Sequence, residues 1–151
     1  MKKLLLVALA ASVFSLTLAS TALADEYAKN CKTILGPDGS AMGIGCAALE
    51  THDWQPAKLR GVGYVQNVDP NTSVQYQFIA AYENGNLKAG DDDLTPWWGT
   101  NTPYHTPYFN CFQLPTYHSK VKVRMKRDNG RTSDWYIIRS DDLRGINWCA
   151  P

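Results

Sequence analysis

Strict alternation of apolar and polar positions is clearest late in the chain. Val121, Val123 and Met125 alternate with Lys120, Lys122, Arg124 and Lys126. A period of two puts the apolar set on one face of a strand and the four cations on the other. Asn129-Gly130 follows, and Thr132 to Ile138 is a second β-rich run carrying Trp135, Tyr136, Ile137 and Ile138. Two such runs about Asn-Gly predict a hairpin, because these residues tolerate the positive φ of tight turns.

The same pattern occurs upstream. Val74, Tyr76, Phe78, Ala80 and Tyr82 fall on one face of an expected strand, and Gln75 and Gln77 begin the other. Asn84-Gly85 supplies a tight turn after it. Val62, Tyr64 and Val68 predict a preceding strand, with Asp69-Pro70-Asn71-Thr72 as the turn between them. Helical periodicity is weak. Glu26 to Leu35 has room for a turn or two, Cys46 to Leu49 is short, and neither sustains an i, i+3, i+4 stripe. The expected fold is mainly β, an antiparallel β-sandwich or open barrel that allows one short N-terminal helix and is stabilised by disulfides.

The first residues follow a different rule. Met1-Lys2-Lys3 is a short basic start, Leu4 to Leu18 is apolar apart from Ser12, Ser15 and Thr17, and Ala22-Leu23-Ala24 is a small-x-small cleavage pattern. This reads as a secretory signal peptide over residues 1–24, cleaved after Ala24, followed by a single β-rich domain over 25–151. No later run is long and apolar enough to span a bilayer. The mature chain is therefore expected to be secreted or periplasmic, with no membrane span after cleavage.

Removing the leader changes the charge. Lys2 and Lys3 are lost, so the 15 basic and 14 acidic residues of the chain become 13 and 14, a balance of −1. A near-neutral domain argues against nucleic acid as a partner. Length and composition exclude a multidomain enzyme, a polytopic membrane protein and a disordered chain.

All four cysteines lie in the mature part: Cys31, Cys46, Cys111 and Cys149. Four cysteines allow three pairings. The expected set is Cys31–Cys46, closing a compact loop around Gly36-Pro37-Asp38-Gly39, and Cys111–Cys149, tying the C-terminus to the middle of the chain. Zinc is disfavoured, because no C-x-x-C pair is present and no histidine stands at ligand spacing from a cysteine. No cofactor and no metal are expected.

Residues 91–119 break the alternation. Prolines 96, 103, 107 and 115 disfavour a long regular element, yet seven aromatics fall within residues 97–117. A long proline-stiffened loop in a small domain is more often functional than decorative. Trp97, Trp98, Tyr104 and Tyr108 are candidate stacking platforms for sugar rings. Asp92, Asp93, Asn101 and Asn110 are candidate partners for hydroxyls. The competing reading makes the aromatics the lid of a small core. The cationic face of residues 120–126 suits phosphates, an acidic polysaccharide or an acidic protein, or else is a solvated or edge-protecting face. Asp91-Asp92-Asp93 lacks the alternating spacing of a calcium loop and reads as a charged shoulder.

Catalytic signals are thin. His52, His105 and His118 are the histidines, and no G-x-S-x-G, H-E-x-x-H or P-loop is present. No catalytic residue is assigned. The function expected is a small exported binding module that recognises a glycan or cell-surface ligand through the aromatic loop, with Trp97, Trp98, Tyr104, Tyr108, Asn101 and Asp93 as its binding residues. The second expectation is a protein-binding module, such as an inhibitor, an immunity protein or an assembly subunit. The third is a small secreted hydrolase using His105 or His118 as acid–base groups.

Overall fold

A computed structural model describes residues 26–52, 57–67, 69–99 and 101–151. The expected signal peptide and Val68 lie outside them. The described residues form ten strands: β1 (Glu26–Leu35), β2 (Ala41–His52), β3 (Lys58–Asn67), β4 (Thr72–Glu83), β5 (Asn86–Asp91), β6 (Trp98–Gly99), β7 (Tyr104–His105), β8 (Phe109–Asn110), β9 (Tyr117–Arg127) and β10 (Tyr136–Arg139). They make two antiparallel five-stranded sheets. One runs β1-β2-β3-β7, with β8 also on β3; the other runs β10-β9-β4-β5, with β6 also on β4.

The sheets face each other across a core that includes Ile34, Ala47, Val65, Val74, Tyr76, Ile79, Val121, Val123, Met125 and Ile138, all fully buried or nearly so. The inner face of β2 and β3 is paved with glycine where β9 and β10 cross it. A Cβ at Gly63 would stand 2.5 Å from Val121, one at Gly45 2.5 Å from Ile138, and one at Gly43 2.7 Å from the Met125 sulfur. The branched side chains of one sheet thus rest on bare backbone of the other.

The late hairpin forms as its alternation predicts. Ile137 faces Lys122 and Ile138 faces Val121 across the β9–β10 ladder. Its turn uses only Gly130 in the left-handed region (φ 82°), and the Gly130 N–H donates to the Arg127 carbonyl at 2.9 Å. At the β4–β5 turn both Asn84 (φ 49°) and Gly85 (φ 81°) are left-handed, as a two-residue hairpin requires. Asp69 closes the turn before β4 by accepting from the Asn71 N–H at 3.0 Å, and the chain there passes from one sheet to the other.

Two expectations are corrected. Residues 26–35 are strand rather than helix: β1 pairs with β2 along its length, and Cys31 stands directly opposite Cys46. Ala28, at φ 52°, sits in the register shift between Tyr27 and Asn30. Long-range pairing decides a segment whose local helical signal was weak. The uniform face of β4 is also broken. Tyr76 pairs with Val123 and Phe78 with Lys122, so Gln77 is the extra residue of a bulge. Val74 and Tyr76 point into the core, whereas Phe78, Ala80 and Tyr82 turn to the outer face and Ile79 and Ala81 replace them inside.

Both expected disulfides are present, Cys31–Cys46 (Cα–Cα 4.1 Å) and Cys111–Cys149 (Cα–Cα 5.1 Å). Two bridges in a small all-β chain mark an oxidising, extracellular kind of environment. One flank of the sandwich is clipped shut between β1 and β10: Asn30 donates to the Arg139 carbonyl (3.1 Å), Lys32 to the Ile137 carbonyl (3.3 Å), and the Leu35 N–H to the Tyr136 hydroxyl (3.0 Å).

The glycine contacts give a direct prediction. Gly63→Ala drives a methyl into Val121 and lowers stability by about 1–3 kcal/mol in urea denaturation. Gly99→Ala, whose added methyl meets nothing within 4 Å, changes it by less than about 0.5 kcal/mol.

Candidate ligand-binding surface

The proline-rich stretch does not form a single platform. It leaves the β9 sheet at β6, where Trp98 pairs with Val74, and joins the opposite sheet at β7 and β8 on β3. Its four candidate platforms are therefore divided among three environments. Trp98 and the buried Tyr104 pack on Tyr76, with ring centroids 5.7 and 5.3 Å away, and line the core. The Tyr104 hydroxyl donates to the Asp93 carbonyl, and burial with the nearby Asp91 pushes its ionisation well above the usual phenol range. Tyr108 lies on the outer face of the β3 sheet, under the Arg60 guanidinium (4.6 Å) and edge-on to His52 (5.1 Å). Trp97 alone reaches the outer face of the β9 sheet.

The polar candidates are also dispersed. Asn101 is an exposed turn residue at φ 66°. Asp92, Asp93 and Asn110 are exposed, and the Asp93 N–H donates to the Asp91 carboxylate at 3.0 Å. The carboxylates of Asp91, Asp92 and Asp93 lie within 4.8 Å of one another.

The outer face of β9 is more organised. His118, Lys120, Lys122, Arg124 and Lys126 project from it while Tyr117, Ser119, Val121, Val123 and Met125 are buried beneath. Each cation of the row lies over an aromatic ring. Lys126 is 4.5 Å from the Trp97 centroid. Arg124 is 5.2 Å from Trp97 and 4.5 Å from Trp135. Lys122 is 5.7 Å from Trp135, and Lys120 is 5.0 Å from Tyr82. Tyr82 in turn stacks on His118 at 4.8 Å, nearly parallel. Gln75, the partner of Arg124 across the ladder, accepts from its Nε (2.9 Å) and Nη2 (2.8 Å) and donates to the Thr95 carbonyl. The guanidinium is thereby fixed between two indoles, with three of its five donors still available.

Lys120, Lys122, Arg124 and Lys126 have no carboxylate partner among the described residues. Most other cations are paired. Lys29 meets Glu26, Arg60 meets Glu50, Lys88 meets Glu83, Arg127 meets Asp38 and Asp69, and Arg139 and Arg144 meet Asp142. Alternate residues on a strand stand about 6.7 Å apart, so the row spans about 20 Å. It is a line of concentrated positive potential on a protein of nearly balanced charge.

His105 and His118 lie on opposite sheets. His118 is on the β9 sheet; burial first, then the positive Arg139 and Lys120, pull its pKa below the ordinary value, with Asp142 opposing. His105 is on the other sheet, with its Nε2 3.5 Å from Glu50. Burial raises the Glu50 pKa, but hydrogen bonds from His105 and Arg60 outweigh it and hold the carboxyl below its usual value. This group fastens β7 to the β2–β3 ladder.

Sequence reading had singled out the basic strand and Trp97. It missed Trp135, Tyr82 and Gln75 as parts of the same surface. The available signal was the hairpin register, which sets Trp135 beside Arg124. No protein-family model matches the chain, and comparison with curated proteins and with solved structures gives no significant match.

The His118 shift has a defined sign. A depressed pKa means the folded protein takes up the proton less readily than the unfolded chain. Its stability is full above the ordinary imidazole pKa of 6.5 and falls as pH drops through that value. Between pH 7 and 5.5 the urea midpoint of the native protein should decline more steeply than that of His118→Gln.

Proposed function

We propose that this protein is an exported binding module for an anionic glycan, held on the outer face of β9. The carrying observation is the row of four cations with no carboxylate partner among the described residues, each lying on a half-buried aromatic ring. Sugar rings stack on indole and phenol faces through their C–H groups, and carboxylate, sulfate or phosphate substituents pair with Lys and Arg. An extended polymer carrying charges along its length suits a straight row fixed in a β-strand. Trp97 is the part of the expected aromatic loop that belongs to this surface. Trp98 and Tyr104 act as the support beneath it, joined to the core through Tyr76. Export is supported by the basic start, the apolar run and the Ala22-Leu23-Ala24 pattern of the leader, together with the two disulfides.

The cation–aromatic contacts also prepare the site. Arg124 is already ordered by Gln75 and two indoles, so a ligand loses less of its binding energy to freezing that side chain. With no carboxylate partner among the described residues, the cations keep their charge available to an outside anion.

The test is binding of immobilised polyuronate, heparin and neutral dextran. The native protein should bind both anionic polymers with strong salt dependence and should not retain on dextran. The double change Lys122→Gln/Lys126→Gln should weaken binding about tenfold or more, and lower the slope of log affinity against log salt by about 2. Trp97→Ala should weaken binding while leaving that slope unchanged. Equal retention on dextran, or equally tight binding of a single-stranded DNA oligonucleotide, would overturn the glycan reading.

A further inference from the structure

Beside the cation row lies a shallow apolar trough of about 350 Å³, lined chiefly by Phe78, Ala80, Tyr82, Leu87 and Gly90, with Asp91 and Asp92 on its far wall. The two features share one sheet face. Phe78 is the cross-strand partner of Lys122, and Ala80 that of Lys120. The trough therefore begins one strand spacing, about 4.8 Å, from the row. It exists because of the Gln77 bulge, which turns Phe78, Ala80 and Tyr82 outward. Gly90 keeps it open, since a Cβ there would stand 3.4 Å from the Leu87 side chain and 3.7 Å from that of Ala80. Leu87 is 65% exposed, a large apolar side chain on edge strand β5.

Charge is graded across this face. Lys120 and Lys122 border the trough on the β9 side, and Asp91 and Asp92 border it on the β5 side. An anionic group is attracted to the first border and repelled by the second. A ligand seated here carries its negative groups over β9 and an apolar group directed toward β5. Resting on the anionic-glycan reading above, we infer that the ligand is an acylated anionic saccharide, with sugar and charged groups on the cation–aromatic row and an acyl chain in the Phe78–Tyr82–Leu87 trough. The volume suits one short stretch of hydrocarbon, not a second protein surface.

The experiment compares three soluble probes by calorimetry, all below their aggregation concentrations. They are a polyuronate oligosaccharide, a phosphorylated glucosamine disaccharide bearing one eight-carbon acyl chain, and the same disaccharide without the chain. Burial of two methylene groups already corresponds to about tenfold in affinity. The native protein should therefore bind the acylated disaccharide at least about tenfold more tightly than the deacylated one. Leu87→Asn, at an exposed position, and Gly90→Val, which fills the trough, should each abolish that advantage while leaving polyuronate affinity unchanged. Equal affinity for the two disaccharides, or an acyl advantage that survives both substitutions, would overturn the inference and leave the polyuronate result to judge the row by itself. Anionic phospholipid vesicles lacking sugar should bind more weakly than the acylated disaccharide. Equal or tighter vesicle binding would overturn the saccharide part of the assignment.

Discussion

The close seating of β9 on the glycines of β2 and β3 is the contact on which the rest of the molecule depends. A sandwich core usually interdigitates side chains from both sheets. Here Gly43, Gly45 and Gly63 contribute only backbone, and Met125, Ile138 and Val121 occupy the space their side chains would take. The consequence reaches the opposite face of the same strand. Because the odd positions of β9 are fixed in depth and register, its even positions are fixed too. A line of four cations held in one direction is a by-product of packing beneath it.

Like charges in a row repel, and among the described residues no carboxylate neutralises this one. Aromatic rings lie under the cations instead. They come from three separate places: Trp97 after the acidic shoulder, Trp135 from the returning arm of the hairpin, and Tyr82 from β4 beyond its bulge. Cation–π contacts of this kind offer attraction without cancelling charge. Elsewhere the charged residues do the opposite. Arg127 joins Asp38 and Asp69 at one end of the sandwich, and Arg60 with His105 holds Glu50 on the far sheet. The contrast separates cations that fasten the fold from cations left facing outward.

Much of the scaffold was legible in the sequence, and the reasons are local. Period-two alternation on residues 120–126 and the Asn-Gly turns specify strands and hairpins through neighbouring residues alone. The pairing of Cys31 with Cys46 followed from a short loop rich in turn residues. What the pattern could not show depends on partners distant in the chain. Residues 26–35 become a strand because β2 offers a ladder, not because their own propensity demands it. The bulge at Gln77 is invisible in an alternation that continues unbroken through it, since Phe78 is as apolar as the core position its periodicity implies. The candidate surface was half legible for the same reason. Composition drew attention to the seven aromatics in residues 97–117, but not to their separation: the neighbours Trp97 and Trp98 face opposite sides of the β9 sheet, and the crossing to the other sheet carries Tyr104 and Tyr108 away. The turn conformation of Asn101 likewise depends on how that crossing is folded.

The Cys111–Cys149 bridge has a mechanical consequence. Strands β9 and β10 both lie inside the covalent ring it closes, a span of 38 residues. Tension applied to the C-terminus passes through the sulfur atoms to residue 111 and bypasses the hairpin. The strands that carry the cation row are thus shielded from a pull on that end of the chain. A module attached to something through its C-terminus keeps its outer face intact under load until the bridge is reduced or the opposite end gives way.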